Sequence, residues 1–491
     1  MACYAAVLAR YVDACAGGSD SSGYLNNARL LASGRVKAQV RDLRALPAAR
    51  VPGYLYMPLG FKPAPTGGGI VPTYATGLPL LVVMAASCLG WKHACDAVMV
   101  AHALAGVWLT FALGRAMRLP FRWAILGALI LAVSPLYVDY SLQAMSDLPA
   151  LVWVTGAVLA AWKSRETGLE SLPQWRRPSD AYAFAAGFAL AFAILVRPNN
   201  LLALAPVAIA LGVSPRRWAG LALGGLPGAI FLGVYNLAAY GHLLTTGYGD
   251  AWSSFSVGLI PGTFLHYARW LPLFFTPVIL LALALPGLRR SASREAAVLG
   301  VWALAYLGFY SAYHNTHETW WYLRFVLPAA PPLVVGGLLA AFRFFSRGGA
   351  RSAREAASTP HFNWRFTIAL ALVLANGAWW NHKLQTLKVG HGEANYPLVA
   401  TWLRQHIPAD SVLSAMQVTG ALFYYTDFTF VRWDQLNPEG FARVAAAARA
   451  EQRPIYAVLY RFEAAEALEK RMPGRWRVVG QVREIMIWRY E

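Results

Sequence analysis

Four ionisable side chains stand where apolar runs give way to polar ones. They are Asp20 in Gly17-Gly18-Ser19-Asp20-Ser21-Ser22-Gly23-Tyr24, Asp147 in Gln143-Ala144-Met145-Ser146-Asp147-Leu148-Pro149, Arg197 in Arg197-Pro198-Asn199-Asn200, and Arg324 in Trp320-Trp321-Tyr322-Leu323-Arg324-Phe325. A carboxylate so placed can take a proton from a hydroxyl, and a guanidinium can grip an anion with its planar fork while staying charged. Each also has a plainer explanation. Asp20 precedes an amphipathic stretch with Leu25, Ala28 and Leu31 or Ala32 on one face, so it is also a natural N-cap. Ser146 or Asp147 can cap the next helix, with Pro149 in its first turn. A lone Arg324 at a helix end can lead its head group to the interface while its stem stays apolar.

Around Arg324 lie His314, His317 and Glu318, then Trp320 and Trp321. His and carboxylate are ordinary metal ligands, and a helix would put His314 and His317 on one face. Three such residues in five match the spacing of no zinc motif, so contact with an acceptor or a sugar is the favoured reading and no metal is assigned. The indoles can stack on a sugar or sit in an interfacial aromatic belt. Asn236, Tyr240, Tyr248 and Asp250 form a weaker cluster in a similarly placed loop.

The elements that must position these residues are membrane helices. Of 491 residues 57% are hydrophobic and 14% charged, in long charge-free runs that a soluble chain of this length would not carry. A helix needs about 20 apolar residues to cross the bilayer, and irregular backbone facing lipid leaves polar groups unsatisfied. About eleven spans are expected, near 1–16, 97–114, 121–138, 148–162, 181–196, 200–213, 218–239, 270–288, 296–312, 325–342 and 364–381. The run 77–90 is read as re-entrant or interfacial within a first outer loop 17–96, because counting it as a crossing would reverse every later loop. The first span is short and holds Arg10 and Asp13, which leaves open whether Met1 is the natural start.

The formal net charge of +19 gathers in alternate loops: Arg115, Arg118 and Arg122; Lys163, Arg165, Arg176 and Arg177; Arg216 and Arg217; Arg289, Arg290 and Arg294; Arg343, Arg347, Arg351 and Arg354. Loops near 140–147, 240–265 and 313–323 contain no Lys or Arg. The positive-inside rule then puts the basic loops in the cytoplasm and Asp20, Asp147 and Arg324 on the opposite face. It also argues against nucleic acid as a partner. Two acids emerging on one membrane face are not explained by capping alone. The short segments 181–196 and 200–213 draw Arg197 below the outer surface, where it needs an anion.

After Trp380 the composition changes. Helical patterns at 397–406, 438–451 and 462–471 alternate with strand-like runs at 411–416, 428–432, 454–459, 475–481 and 485–489. A small α/β domain over 382–491, outside the membrane, is expected to follow a transmembrane domain over 1–381, with a binding or scaffolding role. Cys3, Cys15, Cys88 and Cys95 form no disulfide framework or Cys-x-x-Cys site.

An acid just after the first span, then Tyr24 and a short helix ending in Gly34, resembles the first outer loop of GT-C membrane glycosyltransferases, which include the protein O-mannosyltransferases and the bacterial aminoarabinose transferases. Asp147 before Leu148-Pro149, the Arg197-Pro198 step, and Arg324 in an Arg-aromatic-x-Leu-Pro entry match further elements over roughly 10–345. The Asp-Glu pair usual in that loop is absent, since Ser21 follows Asp20. The resemblance implies an all-α polytopic fold and an inverting transfer of a hexosyl or pentosyl unit from a polyprenyl-phosphate carrier to an acceptor hydroxyl on a glycan, lipid or protein. It implies Asp20 as catalytic base, Asp147 orienting Asp20 or the acceptor, and Arg324 or Arg197 at the donor phosphate. Tyr24, Tyr248, His314, His317, Glu318, Trp320 and Trp321 become candidates for substrate contact. No cofactor is implied, and a divalent cation stays unassigned. The rival classes are a transporter or flippase, and a non-catalytic scaffold that binds lipid-linked sugar. Transport is disfavoured because the spans from 201 to 342 carry no charged residue and no inverted repeat is visible.

Overall fold

Prolines set the breaks in the helical part of the molecule. The computed structural model describes residues 1–166, 178–346 and 364–491. Arg176, Arg177, Arg347, Arg351 and Arg354 lie outside the described residues. In chain order the first part comprises α1 (Ala2–Tyr11), α2 (Asp20–Ala32), the hairpin β1 (Phe61–Pro63) and β2 (Ile70–Pro72), α3 (Gly77–Leu89), α4 (Ala94–Ala116), α5 (Phe121–Val133) and α6 (Pro135–Ser141). Next come α7 (Asp147–Glu166), α8 (Pro178–Val196), α9 (Leu204–Leu211) and α10 (Pro215–Tyr240). The series continues with α11 (Ile260–Phe274), α12 (Arg289–Ser311), α13 (Ala330–Ser346) and α14 (Trp364–Leu384). Tighter 3-10 segments at Pro198–Ala203, Pro277–Leu288 and Trp320–Ala329 lead into α9, α12 and α13.

Several expected spans differ from what forms. Instead of about eleven, four helices among the described residues are long and apolar enough to cross a membrane, or up to six when two bent pairs are each taken as one span. The expected 121–138 helix bends by 62° between α5 and α6. Ser134, held before Pro135, is extended with φ −61° and ψ 128°, because the proline ring disfavours the helical region for the residue ahead of it. The expected 270–288 span is likewise broken, by 114°, at Phe275 and Thr276 ahead of Pro277, and its first half starts back at Ile260 or before. The first helix stops at Tyr11, well short of residue 16. At 13 residues, α3 is shorter than the roughly 20 residues of a crossing helix.

The second part is built on a five-stranded sheet of β3 (Val412–Ala415), β4 (Thr429–Arg432), β5 (Ile455–Tyr460), β6 (Trp476–Val482) and β7 (Ile485–Tyr490), in the order β4-β3-β5-β7-β6. The first three strands are parallel; β7 and β6 complete the sheet antiparallel. Before the sheet come α15 (Val389–Glu393) and α16 (Asn395–His406), while α17 (Thr419–Tyr425) links β3 to β4 and α18 (Pro438–Ala450) links β4 to β5. Strand β5 is buried on both faces, as expected of an inner strand between helical layers. Its Ile455, Ala457 and Leu459 join one core and Tyr456, Val458 and Tyr460 another, the period-two alternation of a strand.

The first of those cores also contains Leu43, Leu46, Leu55 and Tyr56 from the long loop after α2. Loop and sheet are therefore closed against each other by a shared hydrophobic interior, with the Arg432 amide donating to the Leu55 carbonyl at 2.8 Å.

Candidate active site

Helix α2 presents two side chains one turn apart on the same face, as residues i and i+4 must be. Asp20 opens it, and Tyr24 follows. Ser19 holds the N-cap position without a side-chain cap bond, so the carboxylate of Asp20 is not spent on capping. It pairs with Arg324 instead, Nη2 to Oδ2 at 2.7 Å. Tyr24 is hydrogen-bonded to the Ser146 hydroxyl at 2.7 Å.

Ser146 precedes α7, and Arg197 Nε donates to its hydroxyl oxygen at 2.9 Å. Arg197 Nη1 lies 2.9 Å from Asp147 Oδ1. The Asp147 side chain is fully buried, yet neither oxygen accepts a well-aligned hydrogen bond, so charge rather than fork geometry holds this pair. The two ion pairs are joined through α2 itself: Arg324 to Asp20, then Tyr24 to Ser146, Arg197 and Asp147. Phe325 lies between the cations, its ring 5.4 Å from the Arg197 guanidinium carbon and 5.0 Å from that of Arg324.

Asp20 and Arg324 face a cavity of about 450 Å³. Gly17 to Ser21 form one wall, Trp320, Trp321 and Tyr322 another, and Asp139, Tyr140, Gln143 and Met145 a third, with Val389 and Glu393 closing it. The bend between α5 and α6 is what turns Asp139 and Tyr140 inward. Tyr140 donates to the Trp321 carbonyl at 2.8 Å, which ties the second wall to the third. The Arg324 Nε is buried with no hydrogen-bond partner, so this guanidinium keeps a donor beyond those it spends on Asp20 and, at 3.5 Å, on the Met145 sulfur.

Burial opposes ionisation of Asp20, but Arg324, hydrogen bonding from Tyr74 and the more distant Arg197 outweigh it and hold the carboxyl below its usual value. Glu393 has no such compensation. Burial first, then the like charges of Asp13 and Asp20, push it up to about 7.

Of the residues singled out from sequence, Asp20, Asp147, Arg197, Arg324 and Tyr24 are brought into one connected cluster, and Trp320 and Trp321 line its cavity. Tyr248 stands behind it: the Tyr24 and Tyr74 rings are 5.2 Å apart and those of Tyr74 and Tyr248 6.2 Å. His314 and His317 bound a 3-10 turn that Glu318 follows, and none of the three lines the cavity. No group of three His, Cys, Asp or Glu side chains suited to a metal ion occurs among the described residues. Asp139, Gln143, Tyr74 and Glu393 were not anticipated. Asp139 had a signal, an acid inside the apolar run Pro135-Leu136-Tyr137-Val138, whereas nothing local distinguishes Glu393 from other charges of the C-terminal part.

No protein-family model matches this chain, and comparison with curated protein sequences finds no match. Solved structures do share its fold. ArnT from Cupriavidus metallidurans bound to undecaprenyl phosphate superposes with a TM-score of 0.59 at 14% identity, over 99% of this chain and 96% of that one. The apo oligosaccharyltransferase of Archaeoglobus fulgidus gives 0.53 at 13% identity, over 94% and 69%. The arabinofuranosyltransferase AftD from Mycobacteria gives 0.50 at 13%, over 100% of this chain and 40% of that longer one. This chain shares the fold of all three, the GT-C fold that the resemblance implied.

Proposed function

We propose that this protein is a polytopic membrane glycosyltransferase, which moves a sugar from a polyprenyl-phosphate carrier to an acceptor hydroxyl with inversion at the anomeric carbon. The observation that carries this reading is the Asp20–Arg324 pair facing one cavity, a proton acceptor and an anion-binding fork at one reacting centre. The fold it shares with a protein crystallised with undecaprenyl phosphate supports the choice of donor. Positive-inside asymmetry supports an extracytoplasmic site.

In this mechanism the acceptor oxygen attacks the anomeric carbon from the Asp20 side. The bond from that carbon to the phosphate oxygen breaks, and its electron pair leaves with the polyprenyl phosphate. Asp20 draws off the hydroxyl proton as the new bond forms. Arg324, which lines the cavity, meets the growing negative charge on the phosphate without transferring a proton. Arg197, paired with Asp147, stands in the second rank behind it. Trp320 and Trp321 offer flat apolar surface to a sugar ring. Tyr24, through the Ser146 hydroxyl, ties α2 to the start of α7 and so holds Asp20 in place, and Asp147 pairs with the Arg197 that donates to the same hydroxyl; His314, His317, Glu318 and Tyr248 are left to contacts farther along the acceptor or donor.

The test is purified protein incubated with a panel of polyprenyl-phosphate sugars, hexosyl and pentosyl, beside the Asp20→Asn variant. Transfer by the wild type and loss in the variant, with folding and membrane insertion intact, is the expected result. Undiminished transfer by Asp20→Asn removes Asp20 from the chemistry.

A further inference from the structure

Among the described residues the cavity holds two carboxylates with no ion-pair partner, Asp139, which accepts from the Gln143 amide at 2.9 Å, and Glu393, which has no such donor. Glu393 ends α15, the short helix between α14 and the sheet region, and its side chain reaches back to the loop that carries Asp20. The approach is very close. A β-carbon built on Gly17 would lie 2.1 Å from Glu393 Oε2 and 2.7 Å from the Tyr396 ring, so only glycine lets the carboxylate rest against this backbone, three residues before Asp20. The Cys15 thiol donates to the Glu393 carbonyl at 3.1 Å and fixes the helix end there. Among the described residues no Lys, Arg or His lies within ion-pair distance of Glu393, whereas Asp20 has Arg324 and Asp147 has Arg197.

The charged and titratable groups facing it come from every neighbouring element. Asp13 lies on the segment after α1, Asp20 on α2, Asp139 and Tyr140 on α6, Arg324 in the 3-10 segment before α13, and Tyr396 on α16. His391 and Arg483 sit at the outer end, where Arg483 donates to the His391 carbonyl at 2.5 Å and to Asn395 Oδ1 at 3.2 Å. The cation of the cavity, Arg324, is engaged by Asp20.

We infer that Glu393 is a second catalytic carboxylate, the group on which the acceptor's proton comes to rest. This rests on the glycosyl-transfer reading above. A carboxylate clamped by a guanidinium orients a hydroxyl well but keeps a proton poorly, and a base is most effective when its proton affinity lies near the working pH. The two carboxylates divide the task. The acceptor O–H bond breaks as its oxygen bonds the anomeric carbon, the phosphate departs with the electron pair of the broken bond, and the proton passes by way of Asp20 to Glu393. Arg324 is then free to hold the departing phosphate as the charge on Asp20 is briefly neutralised. Return of the proton to bulk water through the open cavity resets the site.

Kinetics of full-length wild type, Glu393→Gln, Glu393→Asp and Asp20→Asn with one polyprenyl-phosphate sugar that the wild type uses, followed from pH 5 to 9, test this. Glu393→Gln is expected to lose about 10- to 100-fold in kcat with little change in KM for the donor, and its rate to lose the acid limb centred near 7. Glu393→Asp is expected to recover part of the rate and the limb, which a merely structural role would not do. Wild-type rate and pH profile in Glu393→Gln overturn the inference and leave the glycosyltransferase reading standing. An equal loss in Glu393→Gln and Glu393→Asp with the wild-type pH profile also overturns it. Absence of transfer by the wild type from every donor overturns both.

Discussion

A β-carbon built on Gly420 would fall 2.0 Å from the Ser22 hydroxyl oxygen and 2.8 Å from Ser22 Cβ, so α17 of the C-terminal part lies directly against the first turns of α2. The contact is reinforced along the helix. Asn26 Nδ2 donates to the Gly420 carbonyl at 3.0 Å, and the Arg29 guanidinium stands 3.6 Å over the Tyr424 ring. The Leu59 amide donates to Thr419 Oγ1 at 3.2 Å. Asp20 is two residues from Ser22, so the C-terminal part braces the helix that carries the proposed base.

Enlarging Gly420 therefore acts on chemistry at a distance. Gly420→Ala forces α2 away from α17, and a displacement of about 1 Å at a reacting group costs up to about 100-fold in rate. The expected outcome is a kcat reduced roughly 10- to 100-fold with the protein still folded in detergent. Ser22→Gly in the same chain removes the two nearest atoms in the way, leaving the Leu59 carbonyl oxygen at 3.0 Å, and restores part of the rate, although glycine inside a helix costs about 1 kcal/mol of stability. Thermal melts beside transfer rates separate the two effects; a single variant with wild-type kcat disproves the brace.

Removing Arg324 leaves Asp20 partly buried without its cation and strips the phosphate of its fork. Arg324→Ala should raise KM for the lipid donor at least 10-fold while lowering protein yield far less. Arg324→Lys keeps the charge but not the planar fork, and should fall between the two. Donor titrations at fixed acceptor read this directly. Unchanged donor kinetics would move the phosphate to another residue, Arg197 first.

How much of this was readable beforehand follows from cost. Burying a charge in an apolar run is expensive, so Asp20, Asp147, Arg197 and Arg324 stood out against their neighbours, and the structure brings these four together. The strands after residue 394 and the helices near 397–406, 438–451 and 462–471 were legible because their periods of two and 3.6 are local properties, whereas the seven-residue helix Thr419–Tyr425 was not expected. Partner choice is not local. Nothing in Val389 to Glu393 announces that Gly17 will leave room for a carboxylate, and nothing in Thr419 to Tyr425 announces Ser22. The bends at Ser134 and Thr276 had a written signal in Pro135 and Pro277, overlooked because the surrounding runs were apolar enough to be read as single spans. His314, His317 and Glu318 have ligand chemistry, but the turn that carries them is not part of the cavity lining.

The Asp147–Arg197 pair predicts an asymmetry between single and double replacement. Its side chains are 0% and 11% exposed, so Asp147→Asn alone leaves a cation enclosed and is expected to cost roughly 3 to 5 kcal/mol. Replacing both with apolar residues of similar volume, Asp147→Leu with Arg197→Met, should cost distinctly less, because no charge is then stranded. Denaturation in detergent, in a double-mutant cycle, measures the difference. If the double variant is no more stable than Asp147→Asn, the pair is not the independent electrostatic unit its geometry describes.

Glu393 also links stability to pH, with a sign opposite to that of Asp20. Its carboxyl is pushed up to about 7 in the folded protein from 4.5, so between those values the folded state binds more protons than the unfolded one. Stability must then fall as pH rises through this window, by at most about 3 to 4 kcal/mol once the carboxylate is fully ionised. Asp20, held below its usual value, contributes stability that is present above that value and lost only as pH drops beneath it, so the two windows do not overlap. Glu393→Gln removes the buried charge that ionisation creates. The variant should melt at a higher temperature than wild type at pH 8, and the gap should close at pH 5, where the wild-type carboxyl is protonated too. A gap of equal size at both values would mean that Glu393 ionises as freely in the cavity as in water, and its selection as the proton's resting place would lose its physical basis.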